Sequence, residues 1–276
     1  MNWYKVAIEG REVSITPERF GAMTWREKVA LARNRNITLA TQRLFFTEEY
    51  ELKSQVLENL ARNRNITPAT QRLFLTEKYK WKGGVLTYLA RNESIAPEIQ
   101  PLFFTEPYKV GYVVLCNLAG NPSITLETQR LFFTEEYEDK DQVLQYLARN
   151  RGIHPATQRL FFTEKYEKKG AVLWDLASNP SLTSEVQRLF FTESYEGTWD
   201  VLLKLTGNPY ITPETQRLFI TEEYEEKGTI LGYLAQNEWF LRDFTPDELL
   251  QIKKVARGNI KLHVLSKRLK QIAGVP

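Results

Sequence analysis

The sequence predicts an all-α fold: a right-handed α–α superhelix, or solenoid, of seven 29-residue helical repeats closed by atypical terminal caps. Three observations predict it. First, near-copies of one motif open at Ile37, Ile66, Ile95, Ile124, Ile153, Leu182 and Ile211, each 29 residues after the last. Second, apolar residues within each copy recur at helical and not strand spacing. Third, the aromatic supply, Phe 15, Tyr 13 and Trp 6, sits mostly inside the copies. Short helices of this size cannot bury such side chains alone, whereas stacked neighbours share one core.

The organisation follows in order. Residues 1–36 form an N-terminal cap with a shortened copy from Ile15, residues 37–239 the repeats, and residues 240–276 a basic helical cap. Terminal copies of a solenoid are expected to diverge because one side meets solvent. Each copy begins like "ITPETQRLF", in which Thr reads as a helix N-cap and Pro occupies the first turn, where its missing N–H is harmless. The Leu-Phe pair that follows makes the apolar side of this first helix. The stretch "TEEYEEKG" reads as a turn or connector with a second Thr N-cap candidate, closing on Gly in three copies. The copy ends in a second helix, "VLxYLARN", with apolar positions 20, 21, 24 and 25 on one side. Its Asn at position 27 reads as a left-handed C-terminal cap.

Composition narrows the class. Apolar residues are 42% and charged residues 26%, as in globular domains. No window is apolar enough for a membrane span, and the first residues lack the apolar core of a signal peptide. The lone Cys116 excludes an internal disulfide or a cysteine metal cluster and points to a cytoplasmic setting. Net charge is +3, yet seven basic residues and no acid follow Leu250, leaving 34 acids against 30 bases elsewhere. A mildly acidic body with a basic tail is not the profile of a dedicated nucleic-acid binder.

The repeated helix, its Ala-x-Asn ending and the following Thr-Pro resemble the leucine-rich variant repeat within the wider HEAT/armadillo-like class. The match is best over Val114–Thr125, Val172–Leu182 and Val201–Pro213, where Asn-Pro stands at 121–122, 179–180 and 208–209. Elsewhere Pro is replaced, as in Asn34-Arg35, Asn63-Arg64 and Asn92-Glu93, and the repeat is longer than the family's. The resemblance covers residues 15–239. It implies alternation of an α-helix with a 3₁₀ helix, and it implies little about activity. The family's iron–sulfur variant uses a separate cysteine cluster that nothing here matches.

Repeated polar residues read mainly as scaffold. The Gln row (Gln42 to Gln216), the Asn row (Asn34 to Asn237) and the Tyr row (Tyr50 to Tyr224) would satisfy backbone groups at helix ends. The Phe row, Phe45 to Phe219, reads as core. An Arg row comprises Arg43, Arg72, Arg130, Arg159, Arg188 and Arg217, interrupted by Pro101. Each copy has a Glu five positions later, so a local Arg–Glu network is the expected use.

Function is sought where copies differ. Positions 19, 22, 23 and 26 lie opposite the apolar side of the second helix. There stand Arg62, Tyr88, Arg91, Tyr146, Arg149, Trp174, Asp175, Lys204 and Tyr233, rich in the residue types that concentrate binding energy. Cys116 falls on the same side. The leading expectation is a non-catalytic scaffold binding a protein or peptide along this strip. The alternative is nucleic-acid binding through the Arg row with Lys253, Lys254, Arg257, Lys267 and Arg268. Neither His154 nor His263 has partners at metal-ligand spacing, and no phosphate-cradling loop occurs, so no enzyme, metal or cofactor is expected.

Overall fold

A computed structural model describes residues 12–47, 49–79, 82–105, 110–193, 195, 197–224, 226–235, 238–256 and 263–272. These residues are all-α with a solenoid-like repeat arrangement, apart from an isolated parallel bridge between Val13 and Ile37. Two units are described in turn, Met1–Gly152 and Ile153–Pro276.

In the first unit, α1 (Pro17–Gly21) and α2 (Trp25–Ala32) form the N-terminal copy. Two helices per copy follow: α3 (Leu39–Thr47) with α4 (Lys53–Ala61), then α5 (Pro68–Thr76) with α6 (Lys82–Ala90). The copy from Ile95 has a 3₁₀ helix, Gln100–Phe104, before α7 (Tyr112–Ala119). The pair α8 (Leu126–Thr134) and α9 (Lys140–Ala148) closes the unit. Second helices pack in series, α2 on α4, α4 on α6, α6 on α7 and α7 on α9.

The second unit repeats the scheme: α10 (Pro155–Thr163) with α11 (Lys169–Ala177), α12 (Ser184–Thr192) with α13 (Thr198–Thr206), and α14 (Pro213–Thr221) with α15 (Lys227–Leu234). Here α11 packs on α13, and α13 on α15. The terminal elements α16 (Glu238–Leu241), α17 (Pro246–Val255) and α18 (His263–Ile272) pack together, and α17 covers α14 and α15.

Local chemistry explains the first helices. Thr67, Thr125, Thr183 and Thr212 each accept from the third N–H of their helix, as the Thr-Pro reading expects. The first helix is a nine-residue α-helix in six copies, which corrects the alternation implied by the resemblance. Only the copy from Ile95 is 3₁₀. There Ala96 replaces the capping Thr, and Pro101 removes a backbone donor inside the helix.

The second Thr N-cap is also corrected. Thr47, Thr76, Thr134, Thr163, Thr192 and Thr221 end the first helix, and the next Glu is extended wherever its cap is described. The chain then turns through a left-handed residue, Leu52, Asp139, Lys168, Gly197 or Glu226, immediately before the second helix. The copy-closing Gly83, Gly170 and Gly228 instead lie in that helix's first turn. A lysine opens it in five copies. The Lys140 Nζ donates to the Phe133 and Glu135 carbonyls (2.7 and 3.0 Å), groups that a helix end leaves without partners. It lies 5.7 Å from the Tyr137 ring centre. Lys82 and Lys169 do the same beside Tyr79 and Tyr166, whereas Lys53, beside Tyr50, donates to the Phe46 carbonyl and the Glu49 carboxylate.

The core is the Phe row, fully buried from Phe45 to Phe219, with the apolar side of the second helix. Neighbouring copies meet edge to face, Phe46 on Phe74 at 4.9 Å in the first unit and Phe162 on Phe190 at 4.9 Å in the second. Tyrosine hydroxyls donate back to the Phe carbonyl five residues earlier, as Tyr79 does to Phe74 (2.8 Å).

Amide side chains tie copy to copy. Gln71 donates to the Ile66 and Ser94 carbonyls (3.2 and 3.0 Å) and accepts from the Ala96 N–H (2.8 Å). Asn92 donates to the Ala61 and Asn63 carbonyls of the previous copy (2.8 and 3.0 Å) and accepts from the Ser94 N–H (2.9 Å). Asn63, Asn121 and Asn150 repeat this, as does Asn208 in the second unit. The Asn row is therefore a ladder between copies, not the left-handed cap expected; none of the described Asn residues has positive φ. Asn237, Tyr108, Glu48 and Glu106 lie outside the described residues.

Candidate functional site

The side of the second helices opposite the core carries the residues singled out for binding. Trp174 is 42% exposed, Tyr146 41% and Tyr233 48%, whereas Tyr88 and Lys204 are half-buried. Arg62, Arg91 and Arg149 are exposed, and Asp175 is buried at 5% exposure. Cys116, expected on this open side, is buried too, and burial pushes its thiol up to about 11.

These side chains are not independent. In the first unit, position 26 of one copy meets position 23 of the next. The Arg33 Nε donates to Asn59 Oδ1 (2.7 Å), the Arg62 guanidinium lies 3.8 Å from the Tyr88 ring centre, and the Arg91 Nε donates to Asn117 Oδ1. Where position 26 shrinks to Gly120, the Tyr146 ring occupies the space beside it. In the second unit the Lys204 Nζ sits 4.1 Å from the Trp174 ring centre. A cation held on an aromatic face contributes about 0.5–1 kcal/mol at an exposed site, and it fixes both side chains. At Asn59, Tyr88 and Asn117, position 23 is thus more covered than helical geometry alone implies, because the neighbouring copy reaches over it, whereas Tyr146 and Tyr233 at the same position stay exposed. The signal was present in the sequence as Arg33/Asn59, Arg62/Tyr88 and Arg91/Asn117, each 26 residues apart.

The Arg row of the first helices follows a different pattern from the expected one. Arg159 pairs with Glu185, an acid in the first turn of the next first helix. Arg217 pairs with Glu248 (3.0 Å) in α17. Neither uses the Glu five residues later. Arg43, Arg72, Arg130 and Arg188 are exposed. In the C-terminal region Lys253, Lys254 and Lys267 are exposed, Arg268 donates to the Arg242 carbonyl (3.1 Å), and Arg257 lies outside the described residues.

Depressions open on the first unit. One of about 540 Å³ is lined by Glu49, Tyr50, Lys53 and Glu58 among others, with Lys53 paired to Glu49 (3.1 Å). Another, of about 260 Å³, is lined by Arg33, Arg35, Asn59, Arg62, Asn63 and Arg64. His154 Nδ1 accepts from the Ala156 N–H (3.1 Å) and so caps its helix in place of Thr. Among the described residues no group of three or more His, Cys, Asp or Glu could hold a metal ion, and no helix is long and apolar enough to cross a membrane. The arrangement sets cationic side chains against aromatic rings on the second-helix side.

No family model, curated protein or solved structure matches this chain, so the repeat architecture and the chemistry of its second-helix face carry the functional reading.

Proposed function

We propose that this protein is a non-catalytic, cytoplasmic repeat scaffold that binds a protein or peptide through the second-helix faces of its repeats. Its finer architecture in this proposal is seven full copies, right-handed, between caps at 1–36 and 240–276, akin to leucine-rich variant repeats. Arg62, Tyr88, Arg91, Tyr146, Arg149, Trp174, Lys204 and Tyr233 supply the contacts, and Asp175, chosen with them, is buried.

One observation carries the reading: Trp174 is 42% exposed, yet Lys204 holds it in place. A large ring already immobilised at the surface loses little further entropy on binding, which is the property of an interface anchor. The ion pairs on Arg159 and Arg217 weigh against a phosphate-tracking Arg row.

The test is capture from native lysate at low and high salt, assaying bound protein and nucleic acid together. The parent should retain protein at both salts. Trp174→Ala with Tyr146→Ala should lose it while circular dichroism and melting stay unchanged. Retention by that folded variant, or bound nucleic acid that leaves steeply with salt, overturns the proposal.

A further inference from the structure

The segment "LARNRNIT" occurs twice in identical form, at 31–38 and 60–67. Stacking of the two copies brings four guanidinium groups, those of Arg33, Arg35, Arg62 and Arg64, around the depression of about 260 Å³. We propose that these paired Arg-Asn-Arg turns form a docking site for an acidic peptide segment, a short run of Asp or Glu side chains on a protein partner. This rests on the partner-binding reading above and narrows its chemistry.

The arginines are preset. Arg33 is held by Asn59 and Arg62 by the Tyr88 ring. Asn63 is occupied by the ladder, donating to the Ala32 and Asn34 carbonyls. Arg33 and Arg62 cap the C-termini of α2 and α4, where a cation complements the helix dipole. That scaffold use does not extend to Arg35 and Arg64, which stand on the turns beyond. The same turn position is Glu93 in the next copy and Pro122 after it; an Arg-Asn-Arg turn recurs singly at Arg149–Arg151, so two such turns adjoin only here.

Four like charges around one small depression repel each other unless an anion joins them. Within the described residues a single carboxylate lies at the edge, Glu93 on Arg64 at 2.7 Å. Guanidinium forks donate two parallel hydrogen bonds to a carboxylate, and a site of this volume takes a few side chains rather than a long polymer. A nucleic-acid track fits less well. Beyond Arg64 the turn carries Glu93, another depression of this unit is lined by Glu49 and Glu58, and the Tyr88 face that could stack a base is covered by Arg62.

The experiment uses the full chain and a fluorescein-labelled short polyglutamate peptide, read by anisotropy at low salt, with polyglutamine and oligouridylate of equal length as comparisons. Polyglutamate should bind saturably and polyglutamine should not. Arg35→Ser with Arg64→Ser should weaken binding about tenfold, the loss of roughly two exposed charge pairs, without moving the melting temperature. Arg43→Ser with Arg72→Ser, the same change in net charge elsewhere, should stay within about twofold. Absence of saturable polyglutamate binding, an equal loss in the Arg43/Arg72 variant, or tighter binding of oligouridylate each overturns the inference. If polyglutamate fails while lysate capture remains sensitive to Trp174 and Tyr146, only this docking site falls. If that capture is insensitive, the broader reading falls instead.

Discussion

Replacing Asn92 by Ala tests whether the copies are held by their amide ladder or by apolar packing alone. The side chain is 5% exposed and makes three hydrogen bonds to backbone: two donated, to Ala61 and Asn63, and one accepted, from Ser94. Alanine leaves the Ala61 carbonyl and the Ser94 N–H without partners in a space that little water reaches, while the Asn63 carbonyl keeps only the long bond from the Ile66 N–H (3.5 Å). Each orphan costs about 1–3 kcal/mol, so the substitution should cost roughly 2–4 kcal/mol once partial rehydration is allowed for. Arg91→Ala, one residue earlier and exposed, should cost less than about 1 kcal/mol. Equilibrium urea unfolding of both variants measures the difference, with the slope examined because repeat arrays can lose two-state behaviour. Hydrogen exchange supplies a local readout, since the Ser94 amide should lose protection first. An Asn92→Ala protein within about 0.5 kcal/mol of the parent would refute the ladder as a source of stability.

Three further outcomes are expected. His154→Thr should stabilise the protein by about 1 kcal/mol in thermal or urea unfolding. The buried Thr157 hydroxyl has no hydrogen-bond partner among the described residues, while Thr70 and Thr128 meet their capping Thr at 3.1 and 3.0 Å. Gly152→Ala should destabilise by about 1–3 kcal/mol, because a Cβ there would lie 2.3 Å from the Pro122 carbonyl oxygen and the backbone must shift; an unchanged urea midpoint would contradict this close approach. Alkali should unfold the protein cooperatively. Burial raises the Tyr50, Tyr79, Tyr137, Tyr195 and Tyr224 hydroxyls in the fold above the ordinary value of 10.0, so the unfolded chain ionises first. Stability from these groups is intact below that pH and falls above it by about 1.4 kcal/mol per pH unit per tyrosine. Tyrosinate absorbance should therefore appear together with loss of helix; gradual ionisation in a folded chain would show the hydroxyls to be open to water.

What the sequence revealed and what it hid divide by the range of the interaction. The Thr67 and Thr212 caps and the buried Phe row are local patterns, readable from spacing and residue type. The 3₁₀ segment around Pro101 was visible as a deviation, though its form depended on which backbone bond the proline removed. Asn92 does satisfy backbone groups at a helix end, as its regularity suggested, but not as a left-handed cap of its own helix, because its partners lie 29 and 31 residues back. Lys140 was passed over because lysine usually lies in solvent; only the path of the connector places it beneath the first helix's last carbonyls. The face chosen for binding followed from helical geometry, but helical geometry treats one copy at a time. It could not show that Arg62 would lie over Tyr88 or that Asp175 would be covered.

The coupling of Arg62 to Tyr88 and of Arg91 to Asn117 sets a grammar for how this chain can change. The amide rungs of Asn63, Asn92, Asn121, Asn150 and Asn208 are alike, so a duplicated or deleted module would still lock to whatever adjoins it. The surface pairs are less uniform, since an arginine at position 26 meets Asn59 or Asn117 in two places and the Tyr88 ring in a third, while Gly120 leaves room for Tyr146. Exchanging two modules would keep the spine intact while separating matched faces, leaving a ring without its cation or a guanidinium over a residue that cannot receive it. Growth in length is structurally cheap here, but the order of the modules is information.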